Sequence, residues 1–155
     1  MIIVKEIPIK RSYVHASILC VLSFIISPVA SYAHSSHNSD GISIETLLET
    51  EKSWDGVEYA PYPAGTPQLS VLKITISPNT SLDWHEHPMP NAAYVEKGAL
   101  TVEKKATGKT RTLQAGEVLP EMVDSAHRGY TGPEGATLVV FYAGKKGLPL
   151  SKPVK

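Results

Sequence analysis

The segment HEHPMPNAAYVEKG, residues 85–98, restricts the possible folds and the possible chemistry of this chain more than any other segment. His85 and His87 are separated by one residue, and Asn91 and Gly98 follow. In a β-strand, side chains two residues apart point to the same face, whereas the same spacing on a helix separates them by about 200°. The segment therefore predicts a shared histidine site if it lies in a strand.

The surrounding sequence favours strands. Residues 69–76 (LSVLKITI) and 136–143 (ATLVVFYA) are rich in β-branched and large apolar residues, and segments with Gly, Pro or Asn separate the runs. We predict strands over residues 69–76, 82–87, 91–104 with a kink at Gly98, 110–113, 117–122, 127–130 and 136–143. Short strands at intervals of about 8–12 residues indicate an all-β sandwich or barrel.

A third histidine, His127, begins one of these predicted strands. If the strands around residues 85–95 keep one phase, His85, His87 and Asn91 face the same way. Two imidazoles from one strand and one from another would hold a divalent metal through three nitrogens and leave positions open for water or substrate. Imidazole suits Fe, Mn, Ni or Zn, so the identity of the metal stays open.

The spacing of these residues resembles the first motif of the cupin superfamily. That motif runs Gly, five residues, His-x-His, three or four residues, Glu, six residues and Gly. Here His85, His87 and Gly98 occupy their motif positions, Asn79 stands at the opening glycine, and Asn91 stands at the glutamate. Asn79 can also adopt a left-handed turn. Asn91, in contrast, replaces a carboxylate by a neutral amide.

The second cupin motif runs Gly, five residues, Pro-x-Gly, two residues and His, with Asn four residues later. Gly116 and His127 match it, while Met122, Asp124 and Thr131 stand at its proline, glycine and asparagine. The resemblance covers residues 69–144. It implies an antiparallel double-stranded β-helix, the jelly-roll or cupin barrel, preceded by a short N-terminal arm or helix.

The resemblance also implies one divalent metal, held by His85, His87 and His127 and, at the position of the family's glutamate, by Asn91. The cupin superfamily includes dioxygenases, lyases, isomerases and non-catalytic binding proteins. We therefore expect a metal-dependent small-molecule enzyme, either dioxygenase-like or a lyase or isomerase. The alternative is a non-catalytic cupin that binds a small molecule or a metal.

Glu121, six residues before His127, is the candidate catalytic residue. On a strand that lines the mouth of the barrel, it could transfer a proton if burial raised its pKa. It could also replace the missing carboxylate as a metal ligand. The third interpretation is a solvated glutamate at the rim.

The first 33 residues have the pattern of a secretory signal peptide. Lys5, Lys10 and Arg11 precede an apolar run at residues 16–26, and Ser-Tyr-Ala at residues 31–33 matches a cleavage site. We expect export to the periplasm or the medium. An uncleaved membrane anchor is the alternative, although a spanning helix needs about 20 apolar residues.

After cleavage the chain divides into a polar leader and proline-rich arm (residues 34–68), the barrel (69–144) and a basic tail (145–155) that we expect to be solvated. Residues 43–54 match a short helix with Ser43 as its N-cap. Cys20 is the one cysteine and precedes the cleavage site, so no disulfide is expected. The 15 basic and 15 acidic residues form no basic stripe for nucleic acid. The expected partners are a small molecule and a second copy of the chain, but no membrane.

Overall fold

The computed structural model describes residues 37–39 and 41–155, and the predicted signal peptide lies outside them. The described residues form ten β-strands and no helix, so they include no apolar helix long enough to cross a bilayer. The strands are β1 (His37–Ser39), β2 (Ile42–Ile44), β3 (Pro67–Ile76), β4 (His85–Glu86), β5 (Asn91–Lys104), β6 (Thr110–Gln114), β7 (Val118–Pro120), β8 (His127–Tyr130), β9 (Ala136–Lys145) and β10 (Lys152–Pro153).

Strand β5 joins the two halves of the fold, because it is long enough to pair with four other strands. Its first half pairs with β9 and β7, and its second half pairs with β8 and β6. Strand β3 extends the sheet beyond β9, and β4 and β10 extend it beyond β8. All these pairings are antiparallel. The predicted all-β, antiparallel architecture is confirmed.

Strand β5 bends where its register with β9 shifts, between Val95 and Lys97. The extra residue exchanges the two faces of the strand. Positions 91, 93 and 95 are buried before the shift, and positions 100 and 102 are buried after it. Gly98 follows with a φ of 72°, a left-handed conformation that glycine adopts at little cost. The irregularity predicted at Gly98 is present, but the register shift lies just before that residue, between Val95 and Lys97, and it allows one strand to serve both halves of the sheet.

The hydrophobic core lies inside the curled sheet. Most of its members are side chains that the two-residue alternation of β3, β5 and β9 turns inward. The buried members are Ile76, Met89, Ala93, Val95, Leu100, Val102, Leu113, Leu119, Ala136, Leu138, Val140 and Tyr142. Burial of a large apolar side chain contributes about 1.5–3 kcal/mol. The core is therefore the main source of stability for the described residues.

The predicted helix at residues 43–54 is wrong. Ile42–Ile44 instead forms β2, which pairs with β1, and residues 45–50 have no regular structure. A helix of this length is marginal in water unless an apolar face packs against the core. Leu47 and Leu48 remain 53% and 38% exposed, so such packing does not occur.

The basic tail is also not solvated in the way that its charge predicts. Residues 152–153 form β10, which pairs with β4. Ahead of that strand, Leu148 and Leu150 pack against the core. Two apolar side chains and the open edge of β4 therefore hold this segment on the protein.

Candidate metal centre

Three histidine side chains converge inside the curled sheet. His85 of β4 and His127 of β8 are directly opposite each other in an antiparallel pair, which places both side chains on one face. His87 follows β4 and forms a bridge with Val123. The three ring centroids are 4.7 to 5.1 Å apart. The structure thus brings together the three histidines that the motif spacing singled out.

Each imidazole is oriented by a hydrogen bond between its Nδ1 and a backbone carbonyl. The acceptors are Asp83 for His85 at 2.8 Å, Leu150 for His87 at 2.7 Å and Ser125 for His127 at 2.7 Å. A carbonyl only accepts, so each Nδ1 carries a hydrogen, and in the neutral imidazole Nε2 keeps its lone pair. One ring nitrogen of each histidine lies within 4.8 Å of the other two. Histidines that bind metals are oriented in this way.

The protein environment affects the protonation of the histidines differently. His87 and His127 are only 4% and 1% exposed, whereas His85 is half-buried. Burial lowers the pKa of His87 below 6.5, so His87 is neutral at pH 7. Burial acts in the same direction on His127, but the carboxylate of Glu121 outweighs it and raises the pKa of His127 above 6.5. A proton and a metal ion therefore compete for His127.

Glu121 lies within the site and is buried, not solvated at a rim. Its Oε2 is 3.3 Å from Nε2 of His127, although the two atoms do not have the geometry of a hydrogen bond. Burial alone would raise the pKa of Glu121, but the three imidazoles, with His127 foremost, outweigh it and lower that pKa. The shift is opposite to the one expected from burial, so Glu121 is ionised at neutral pH.

Asn91 is the cross-strand neighbour of Glu121. The register pairs Ala92 with Pro120, and the Glu121 N–H donates to the Asn91 carbonyl at 3.0 Å. The side-chain Nδ2 of Asn91 donates to the Met89 carbonyl at 3.3 Å, which leaves its Oδ1 buried without a partner. That oxygen is available to a cation.

The buried atoms of this site fit a divalent metal. Nε2 of His127, Oε2 of Glu121 and Oδ1 of Asn91 are buried without a hydrogen-bond partner. An unsatisfied buried polar atom costs about 1–3 kcal/mol, and coordination or a nearby cation would remove that cost. A set of three imidazole nitrogens suits transition metals better than Ca²⁺ or Mg²⁺, which prefer oxygen ligands. The residues present could therefore hold such an ion.

The backbone keeps the turns that the two motifs place at glycine. Gly98 and Gly116 have φ values of 72° and 92°. Asn79 and Asp124 stand where the motif glycines are replaced, and their φ values are 51° and 48°. Within residues 37–39 and 41–155, these are the two non-glycine residues with positive φ. Asn and Asp tolerate this conformation best, so the turns are retained despite the replacements.

Solved structures share this arrangement of strands. The polyketide cyclase RemF from Streptomyces resistomycificus matches with a TM-score of 0.50 and 22% identity, over 59% of this chain and 63% of that protein. A structure of the DMSP lyases RdDddP and RnDddQII matches with 0.50 and 17%, over 56% and 44%. A cupin-like protein from Thermotoga maritima matches with 0.48 and 17%, over 56% and 64%. The chain has the cupin fold.

The chain spans less than two thirds of the length of each of these three proteins. No family model matches its sequence, and no curated protein sequence matches it. At 17–22% identity the likeness is one of fold. The activity of this chain must therefore be inferred from its own site.

Some contacts that support this site could not be predicted from the sequence. The Tyr59 hydroxyl donates to the backbone carbonyl of Glu121 at 2.8 Å. The backbone N–H of Trp54 donates to the Pro120 carbonyl at 2.9 Å. The carbonyl of Leu150 orients His87. Backbone acceptors are common to every residue, so no residue type marks them in a sequence. The arm and the tail therefore support this site in ways that a motif search does not detect.

If the three histidines hold a metal, Glu121→Gln is expected to shift the pH dependence of metal binding to lower pH. A metal displaces a proton from His127, so affinity falls about tenfold per pH unit below the pKa of that residue. Without the carboxylate, His127 loses the strongest influence that raises its pKa, so that pKa falls, although the Ser125 carbonyl and the charge of Asp55 still act in the opposite direction to burial. Zn²⁺ titrations between about pH 5 and 8 measure the onset of the fall. Glu96→Gln, which removes a surface ion pair with Lys73, is the control. An unchanged onset in Glu121→Gln would contradict the expectation.

Proposed function

We propose that this chain is an exported metal-dependent enzyme that acts on a small molecule. The convergence of three imidazoles, each oriented by a carbonyl at its Nδ1, carries the proposal. A role in packing does not account for the buried Nε2 of His127, which has no partner. We assign Fe, Mn, Ni or Zn to His85, His87 and His127, with Oδ1 of Asn91 as a further ligand.

Glu121 is the residue that we assign to proton transfer. It is ionised, and it lies beside His127 without belonging to the convergent set of ring nitrogens. A bound divalent metal supplies Lewis acidity toward a substrate oxygen. A carboxylate beside that position can accept a proton from the substrate and return it. This chemistry fits a lyase or isomerase, and it also serves a dioxygenase-like reaction whose substrate must first lose a proton.

Tyr142 is an uncharged neighbour of the site. Tyr142 lies edge-on to His87, with the ring centroids 5.6 Å apart. Burial, together with the charge of Glu121, raises the pKa of Tyr142 to about 12, so its phenol remains protonated. His85 is the most exposed of the three histidines. We therefore propose that substrate approaches on the side of His85.

A non-catalytic binding cupin is the second candidate, and Asn91 is the observation that favours it. An amide at the position of the family's glutamate leaves Glu121 as the carboxylate of the site. The two candidates differ in what they require of that carboxylate. Glu121→Gln removes the proton acceptor of an enzyme, whereas a binding protein with the same substitution keeps its ligand.

Export and a homodimer are further parts of the proposal. The signal pattern of residues 1–33 supports export. On the outward face of β3 and β9, Leu69, Val71 and Phe141 are 67%, 63% and 41% exposed. Val71 pairs with Phe141, so these apolar side chains are adjacent. Such a patch supports the packing of a second copy against this face.

Native mass spectrometry of protein isolated from the exported fraction tests these parts in one sample. We expect a chain that begins at His34, has the mass of a dimer and carries nearly one metal ion per chain. Elemental analysis identifies the metal. A folded, freshly isolated sample without metal would contradict the metal-dependent enzyme. A small molecule that co-purifies unchanged in a stoichiometric amount would favour the binding protein.

A further inference from the structure

We propose that the C-terminal strap, residues 147–155, is a positioning element of the histidine cluster. It orients His87 through the carbonyl of Leu150, and it braces β4 through β10. The expected effect on metal affinity rests on the proposed function. The effect on the imidazole of His87 does not.

The hydrogen bond that orients His87 differs from those that orient the other two histidines. His85 and His127 use carbonyls two residues earlier in the chain, at Asp83 and Ser125. These contacts form wherever the local backbone has the right shape. The acceptor for His87 lies 63 residues away, at Leu150. The orientation of His87 therefore depends on the docking of a distant segment.

The strap also braces the strand that carries His85. With β8, β4 forms one residue pair, between His85 and His127. Strand β10 adds two pairs on the other edge of β4, in which Lys152 faces Glu86 and Pro153 faces His85. A two-residue strand with one pair is weakly held, so β10 supplies most of the backbone pairing of β4.

Several contacts hold the strap in place. Leu148 and Leu150 pack against the core. The Val154 N–H donates to the Trp84 carbonyl at 2.8 Å, and Lys105 Nζ donates to the Lys155 carbonyl at 2.7 Å. These contacts lie on both sides of β10. The strap is therefore attached along its length, and the Leu150 carbonyl is held where the Nδ1 of His87 requires it.

If the strap positions the metal ligands, bound metal must in turn stabilise the strap by the same factor. Hydrogen exchange of the Val154 amide reports this stabilisation in the untruncated chain, because that amide donates to the carbonyl of Trp84, the residue before His85. The Asn79 amide, which donates to the Gly132 carbonyl at 2.9 Å, is the control. We expect Co²⁺ to slow hydrogen exchange at Val154 on the order of 10- to 100-fold and to affect Asn79 much less. In a chain that binds Co²⁺, equal slowing at both amides, or none, would overturn the proposal.

Two truncations test the strap directly with Co²⁺ as the probe. A protein that ends at Pro149 lacks the Leu150 carbonyl and β10, whereas one that ends at Pro153 keeps both. Changes to groups that orient metal-binding histidines typically cost 10- to 100-fold in affinity, so we expect the dissociation constant of the shorter protein to rise by about that factor. The longer one should stay within about threefold of the full chain. Thermal unfolding of the metal-free proteins separates this effect from loss of stability.

The nitrogen NMR shifts of His87 test the positioning without any metal. We expect the Nδ1–H tautomer in the full chain and in the protein that ends at Pro153, but a mixture of tautomers in the protein that ends at Pro149. If the full chain does not bind Co²⁺, the proposed function fails, and these shifts still decide the role of the strap. Full affinity and an unchanged tautomer in the shorter protein would overturn the proposal. If that protein does not fold, the exchange at Val154 decides.

Discussion

His127→Ala is expected to abolish stoichiometric metal binding and to raise the dissociation constant for Zn²⁺ or Co²⁺ on the order of 100- to 1000-fold. Loss of a group that merely orients a ligand costs about 10- to 100-fold, and this substitution removes a ligand itself. It also removes the imidazole nearest to the carboxylate of Glu121. Calorimetric titration of the metal-free protein and elemental analysis of the purified variant measure the effect.

Asn91→Ala is the matched comparison for His127→Ala. It removes the amide oxygen and leaves all three imidazoles, so we expect a smaller loss of affinity, on the order of tenfold. Both side chains are buried, at 5% and 1% exposure, so both truncations also leave a cavity. Thermal unfolding without metal corrects for that. Wild-type affinity in His127→Ala, or equal losses in the two variants, would contradict the assignment of His127 as a ligand.

Gly98→Ala is expected to lower the free energy of unfolding by about 2–5 kcal/mol, which would prevent folding if the wild-type value is at the low end for proteins. A side chain in the left-handed conformation costs about 1–2 kcal/mol, and a clash in a packed region adds about 1–3. A Cβ at Gly98 would overlap the carbonyl oxygen of Gly135 and lie 3.2 Å from the Cα of Ala136. Both neighbours are backbone, so neither can rotate away. Urea unfolding of the metal-free protein measures the loss.

Gly116→Ala separates the two contributions. Gly116 has a φ of 92°, but nothing lies within 4 Å of the position that a Cβ would take. We expect only the cost of the backbone conformation there, about 1–2 kcal/mol. If Gly98→Ala and Gly116→Ala lose the same stability, the close approach of Gly98 to Gly135 is not important.

Much of the sheet and of the histidine cluster could be predicted, because both follow from local geometry. Alternation along a strand places Asn91, Ala93 and Val95 on one face, and the structure buries all three. The left-handed turn expected at Asn79 is also present, with a φ of 51°. These features depend on the backbone of a few consecutive residues, so they can be read from spacing and residue type.

The features that could not be predicted depend on distant contacts. Residues 43–54 have the local pattern of a helix, but the fold offers that segment no apolar surface. The strand expected over residues 82–87 is reduced to His85–Glu86, because the register leaves one residue of β4 paired with β8. The pKa of Glu121 falls rather than rises because three imidazoles surround it, which its sequence neighbours do not show.

The pairing of β3 with β9 over their full lengths closes a long loop, residues 77–135. The three histidines, Asn91 and Glu121 all belong to that loop. Closing it costs conformational entropy that only long-range contacts repay, so folding should be slow. The C-terminal strap lies outside the loop, so its detachment does not require the loop to open. If the strap positions the histidines as proposed, we expect a metal ion to be released and rebound without unfolding of the loop.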